Sequence, residues 1–182
     1  MAAHVDPLVV GRVIGDVVDL FVPTVAMSVR FGTKDVTNGC EIKPSLTAAA
    51  PVVQIAGRAN DLFTLVMTDP DAPSPSEPTM RELIHWLVVN IPGGADPSQG
   101  SETVMPYLGP CPPVGIHRYV LVVYQQKARF RAPPVLAPGA EVEASRARFR
   151  NRAFADRHDL GLPVAAMYFN AQKEPANRHR HY

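Results

Sequence analysis

The chain has 182 residues, room for one domain with a sizeable core, and an ordinary balance of 46% hydrophobic to 19% charged residues. A net charge of +1 excludes a general electrostatic pull toward nucleic acid or membrane surfaces, so no direct nucleic-acid binding is expected. Proline is the outlier, 19 residues against 12 glycines, which argues for many fixed turns and against a helical bundle.

The N-terminus, MAAHVDPLVV, lacks the basic-then-apolar order of a signal peptide, and no apolar run is long enough to span a bilayer. Asp6-Pro7 has the form of a helix start, with Asp6 as N-cap. From Leu8 to Phe21, Val10, Val13, Ile14, Val17 and Phe21 share one face of a helix, opposite Arg12, Asp16 and Asp19, and Pro23 ends it. Val25 to Gly32 alternates as a strand with Val29 and Phe31 on one side and Ser28 and Arg30 on the other. Thr37-Asn38-Gly39 carries a hairpin-turn signal, and a short strand follows at Val52–Ile55.

Leu62 to Thr68 is an apolar strand buried on both faces, ending in the proline-stiffened loop Asp69-Pro70-Asp71-Ala72-Pro73. Further strands are expected at Ile84–Ile91 and Ile116–Gln126, with a polar loop at Gly93–Gly100 between them. On the latter strand His117, Tyr119, Leu121 and Val123 share a face. A basic segment spans 127–152, then a helix from Asn151 (as N-cap) to Leu160 with Gly161 as its stop, and a last strand at Pro163–Asn170. The chain is β-dominated: one domain over 1–170, with 171–182 as a mobile, mildly basic tail.

Chemistry gathers at the strand ends. If their strands are neighbours, Asp69, Asp71, His85 and His117 converge with Tyr119 beside the stiff loop Gly109–Gly115, whose backbone amides are exposed. Two imidazoles and a phenol donate to a phosphate or carboxylate, while a nearby carboxylate keeps one imidazole protonated. The plain alternative for each histidine is a satisfied structural residue. Metal binding finds no HExxH run and no paired cysteines; Cys40 and Cys111 suit a reduced thiol, and no cofactor is implied. Catalysis finds no activated nucleophile, since Ser74 and Ser76 lie in proline-flanked loops without a GxSxG elbow. Arg146, Arg148 and Arg150, two apart, form a positive loop entering the Asn151 helix and suit an acidic or phosphorylated partner, or else a solvated face.

DPDAPSPSEP, then REL-IHWLV, then GPCPPVGIHRY, resemble the signature motifs of the phosphatidylethanolamine-binding protein family, over about Asp6 to Asn170. TLVMTDPDAPSPSEP and LGLPVAAMYFNAQKEP are similar to the plant group that includes Flowering Locus T and Terminal Flower, and FNAQKEPANR is similar to its Mother of Flowering Locus T branch. The resemblance implies a mainly β fold, a large central antiparallel sheet packed with a smaller sheet and flanked by helices. It implies a phosphate-headgroup pocket at Asp69, Asp71, Pro73, His85, Pro112, His117 and Tyr119, with Leu83 where florigens carry Tyr and antiflorigens His.

It implies, too, a non-enzymatic scaffold in cytoplasm and nucleus that joins bZIP transcription factors directly or through 14-3-3 proteins. Seed germination, dormancy, abscisic acid signalling or flowering time would be its output. Partner contacts are expected at Asn60 (an arginine in the florigens), Pro92 and Arg129, while an aromatic contact expected near Gln99 is missing. A phospholipid-headgroup carrier, or an inhibitor of a kinase or peptidase as in animal and yeast relatives, is the alternative.

Overall fold

The computed structural model describes residues 5–97, 101–136 and 138–175. Its frame is a six-stranded sheet. β1 (Met27–Phe31), β2 (Lys34–Asp35) and β4 (Val52–Ile55) form a small sheet in the order β2-β1-β4. The large sheet contains β3 (Cys40–Glu41), β5 (Leu62–Asp69), β6 (Leu83–Pro92), β7 (Glu102–Met105), β8 (His117–Gln126) and β9 (Ala165–Ala171), in the order β3-β9-β8-β5-β6-β7. All of its pairs are antiparallel except β3 with β9.

The large sheet is a middle layer, so β5, β6 and β8 are apolar on both faces. Phe63, Leu65, Met67, Tyr119, Leu121 and Val123 pack toward Val29, Phe31, Val53 and Ile55 of the small sheet. Val66, Val120, Val122 and Tyr124 face the helical side, against Val13, Val17, Phe149 and Phe154. The expected two-sheet, helix-flanked architecture is what the chain adopts.

Several local expectations are corrected. The N-terminal segment is not one helix: α1 (Pro7–Val10) and α2 (Val13–Asp16) are single turns, with Arg12 in the left-handed region and Ile14 and Gly15 non-helical. Asp6 does cap α1, accepting from the Leu8 amide at 2.9 Å, a contact worth about 1 kcal/mol. Val10, placed on the buried face of a continuous helix, is exposed, because the break turns it outward.

The β1–β2 hairpin turns at Gly32-Thr33; the Asn38-Gly39 turn instead carries the chain from one sheet to the other. Helix α3 runs Asn151–Arg157 with Arg150 at its N-cap, because the Asn151 side chain is drawn inward to Glu82 and Tyr124. β9 extends to Ala171, and Gln172 and Glu174 hydrogen-bond Glu41 and Ser45, so the first residues of the expected tail are tied to the body. Residues 98–100, including Gln99, and the tail from 176 lie outside the described residues.

Candidate functional site: a pocket at one end of the central strands

β5 and β8 run antiparallel, which brings the C-terminal end of β5, Asp69, beside the start of β8, His117. There Asp69, Pro73, Leu83, His85, Pro112, His117 and Tyr119 line a cavity of about 210 Å³ together with Ala72, Met80, Leu108, Cys111 and Pro113. That is smaller than ordinary small-molecule sites, and its wall is almost wholly apolar. It has room for a compact group rather than a whole lipid.

His85 reaches the cavity by a β-bulge. Met67 opposes Trp86 and Thr68 opposes Ile84, so His85 is the extra residue of β6, and bulges re-aim side chains in this way. Its Nδ1 donates to the Leu108 carbonyl at 2.6 Å, which leaves Nε2 as a bare acceptor. Among the described residues, this nitrogen is the buried side-chain polar atom without a hydrogen-bond partner. Burial holds His85 below its ordinary pKa, outweighing the Leu108 carbonyl and Asp69.

His117 is the opposite case. Its Nδ1 donates to Asp69 Oδ2 at 2.7 Å and its Nε2 to the Val114 carbonyl at 2.8 Å, so both ring nitrogens face acceptors and the imidazolium fits. Burial opposes that charge, but the bond and charge of Asp69 overcome it and raise the pKa above the usual value. The Gly109–Gly115 loop thus meets His117 with a carbonyl, not with amides. Burial, with the Asp69 carboxylate nearby, raises the Tyr119 phenol pKa. Its ring stands edge-on to His85 at 5.2 Å between centroids.

Asp71 does not line the cavity. It faces the other side of the sheet, where its carboxylate takes two hydrogen bonds from the Arg118 guanidinium (2.7 and 2.9 Å) and one from the Arg118 amide (2.8 Å). Arg118 also pairs with Asp16 and bonds the Gly11 carbonyl, so Asp71 anchors its loop to the N-terminal turns. Burial raises the Asp71 carboxyl, but Arg118 and Arg81 more than offset it and hold its pKa below normal. Strand alternation was the available signal: with His117 turned to one face, Arg118 must turn to the other.

Arg146 is corrected as well. It is buried, donating to the carbonyls of Ile84, His85 and Pro106 and to Glu143, so it fastens its loop to β6 and is closed to a partner. Arg148 and Arg150 are exposed, but α3 is too short to add a helix-terminus field to them. Asn60, Pro92 and Arg129 lie at the far end of the sheet, where Leu62 opposes Pro92 and Gln126; that end is about 23 Å from Asp69, the length of β5. A second bulge there places Asn90 so that Oδ1 accepts from Gln126 and the Phe130 amide while Nδ2 donates to the Phe130 carbonyl, fixing the loop that carries Arg129. Among the described residues no cluster of three or more His, Cys, Asp or Glu could hold a metal, and no helix is long and apolar enough to cross a membrane.

The family profile described as phosphatidylethanolamine-binding protein matches residues 24–169. The chain belongs to the phosphatidylethanolamine-binding protein family. It is 60% identical over 180 residues to Protein MOTHER of FT and TFL1 homolog 2 of Oryza sativa subsp. japonica, covering 99% of this chain and 100% of that one. It is 48% identical over 177 residues to Protein TERMINAL FLOWER 1 of Arabidopsis thaliana, covering 97% and 96%. In structure it is similar to a carboxypeptidase Y inhibitor solved with its cognate proteinase, with a TM-score of 0.79, 24% identity and 92% and 94% coverage. That last likeness is one of fold.

Proposed function

We propose that this family member is a non-enzymatic regulatory scaffold of plant cells that acts on transcription in nucleus and cytoplasm. It joins bZIP factors, directly or through 14-3-3 proteins, and controls germination, dormancy or flowering time, with abscisic acid signalling upstream. The end-to-end match to the rice protein carries this reading. The separation of the pocket from the rim that bears Asn60, Pro92 and Arg129 supports it, since ligand and partner then occupy different surfaces.

Co-precipitation with 14-3-3 and bZIP baits tests the reading, using the full chain, Arg129→Ala and a truncation after Pro175. Recovery of either bait, weakened by Arg129→Ala, is expected. Failure to recover both from seed and leaf extracts overturns it. The pocket favours a second reading, a carrier of phosphate headgroups without a role in transcription: the wall suits one phosphate, and Asp69 with His117 holds a buried charge pair beside it. Under that reading His85→Ala abolishes function in the plant, whereas a scaffold retains bait recovery.

A further inference from the structure

Arg81 and Arg118 pair with Asp16 and Asp71, Arg146 with Glu143 and Arg152 with Asp19. Arg148, Arg150 and Arg157 differ. Among the described residues they form no salt bridge, and they stand exposed around one groove of about 300 Å³. The backbone explains their placement. Phe149 exchanges two backbone hydrogen bonds with Glu82, as in a short antiparallel ladder, so its ring turns inward and the arginines on either side turn outward. Arg157 shares a face of α3 with Ala153, four residues earlier. Phe149 and Phe154, with ring centroids 5.4 Å apart, floor the groove beside half-buried Leu136. Ala144, Ala147 and Ala153 are too small to fill it.

No acidic side chain lines this groove: Glu143 is turned to Arg146, and Asp156 lines separate cavities with Asp16 and Asp19. Three weakly hydrated guanidiniums thus set a positive field over an apolar depression with room for a large side chain. Exposed ion pairs add little affinity, so the charges steer and select, while a buried anchor holds. The chain's own C-terminal ANRHRHY carries the same sign as the groove and is repelled by it. We propose that the groove between Phe149 and α3 docks a segment of a partner protein in which one large apolar side chain is flanked by carboxylates. The groove shares no lining residue with the cavity beside Asp69, and the proposal stands apart from both readings above.

Selection of a random peptide library on the full chain, with counter-selection on Arg148→Glu/Arg157→Glu, tests it. Enriched peptides should carry a large apolar residue flanked by aspartate or glutamate. In fluorescence anisotropy the best of them should lose about tenfold in affinity on the charge-reversed pair. It should lose about tenfold when its apolar residue becomes alanine, and weaken severalfold between about 50 and 300 mM salt. Arg30→Glu/Arg58→Glu, the same change of net charge at exposed arginines outside the groove, should leave binding intact. Ala153→Phe fills the groove without altering charge and should block the peptide, so the test survives if the charge-reversed pair does not fold. No enrichment, enriched peptides without acidic residues, or binding that persists in both groove variants overturns the proposal. So does an equal loss in Arg30→Glu/Arg58→Glu, which would reduce the effect to net charge. Sedimentation with phosphatidylserine vesicles that is lost in the groove variants, without peptide binding, assigns the groove to a lipid surface and also overturns it.

Discussion

Glu82 offers the sharpest test of how this fold handles a buried charge. Its carboxyl, 4% exposed, accepts from the Thr68 hydroxyl (2.9 Å), the Asn151 amide (2.9 Å) and the Asn151 side chain (2.6 Å), and so clamps α3 to the β5–β6 end of the sheet. Burial is the largest influence and outweighs those donors, pushing the pKa from 4.5 to about 7. The Thr68 hydroxyl, able to donate or accept, is the neighbour that can accept a hydrogen bond from the protonated Glu82 carboxyl. Since the fold prefers the protonated acid, the unfolded chain ionises first as pH rises above 4.5. Native stability from this group therefore declines until the folded acid also ionises near pH 7. At about 1.4 kcal/mol per pKa unit the decline is about 3 kcal/mol.

Glu82→Gln does not titrate, so the difference between the two proteins isolates the effect. Urea denaturation should show the wild type's advantage over Glu82→Gln shrinking by about 3 kcal/mol from pH 4.5 to pH 7.5. With a urea slope of about 2 kcal/mol per molar, the midpoints should move relative to each other by about 1.5 M. A difference that stays flat or grows with pH would refute the reasoning, because it would mean the donors outweigh burial and the residue folds as a carboxylate.

His117→Leu leaves Asp69 buried without its cation and should cost about 3–5 kcal/mol at pH 6 by chemical denaturation. The wild type's margin, present in full below the unfolded histidine value of 6.5, should fall as pH rises through the elevated folded value. Arg146→Met strips donors from the Ile84, His85 and Pro106 carbonyls and should cost about 2–3 kcal/mol, whereas Arg148→Ala, on the surface, should stay within about 0.5 kcal/mol. Gly93→Ala would put a Cβ 2.2 Å from the Arg58 carbonyl oxygen and 2.6 Å from the Gly57 carbonyl carbon; a backbone clash of this kind should lower stability by about 1–3 kcal/mol in thermal melts.

The long central strands were legible because burial on both faces leaves near-continuous apolar runs, VLVV without a break and LFTLVM broken only by Thr64. β7 was not: Glu102-Thr103-Val104-Met105 is too short and too polar at its start to stand out from a loop. The N-terminal valines fit a helical period, and only Gly11 and Gly15 hinted at the breaks that the chain makes there. For the pocket, the motif loops identified Asp69, His85, His117 and Tyr119, but nothing in the residue order revealed that β6 carries an extra residue at His85. Two carboxylates two apart in a turn also look alike on paper; their different fates follow from Arg118, which waits on the opposite face for Asp71. Arg146 gave no sign of burial, since its role depends on carbonyls from remote parts of the chain.

The pocket lip and the opposite rim grow from the two tips of the same stiff strands. Loop exchange at one tip therefore leaves the other's geometry untouched. The same rigidity has a converse: a small molecule seated beneath Tyr119 can retune the distant rim only by sliding whole strands, which a close-packed three-layer interior resists.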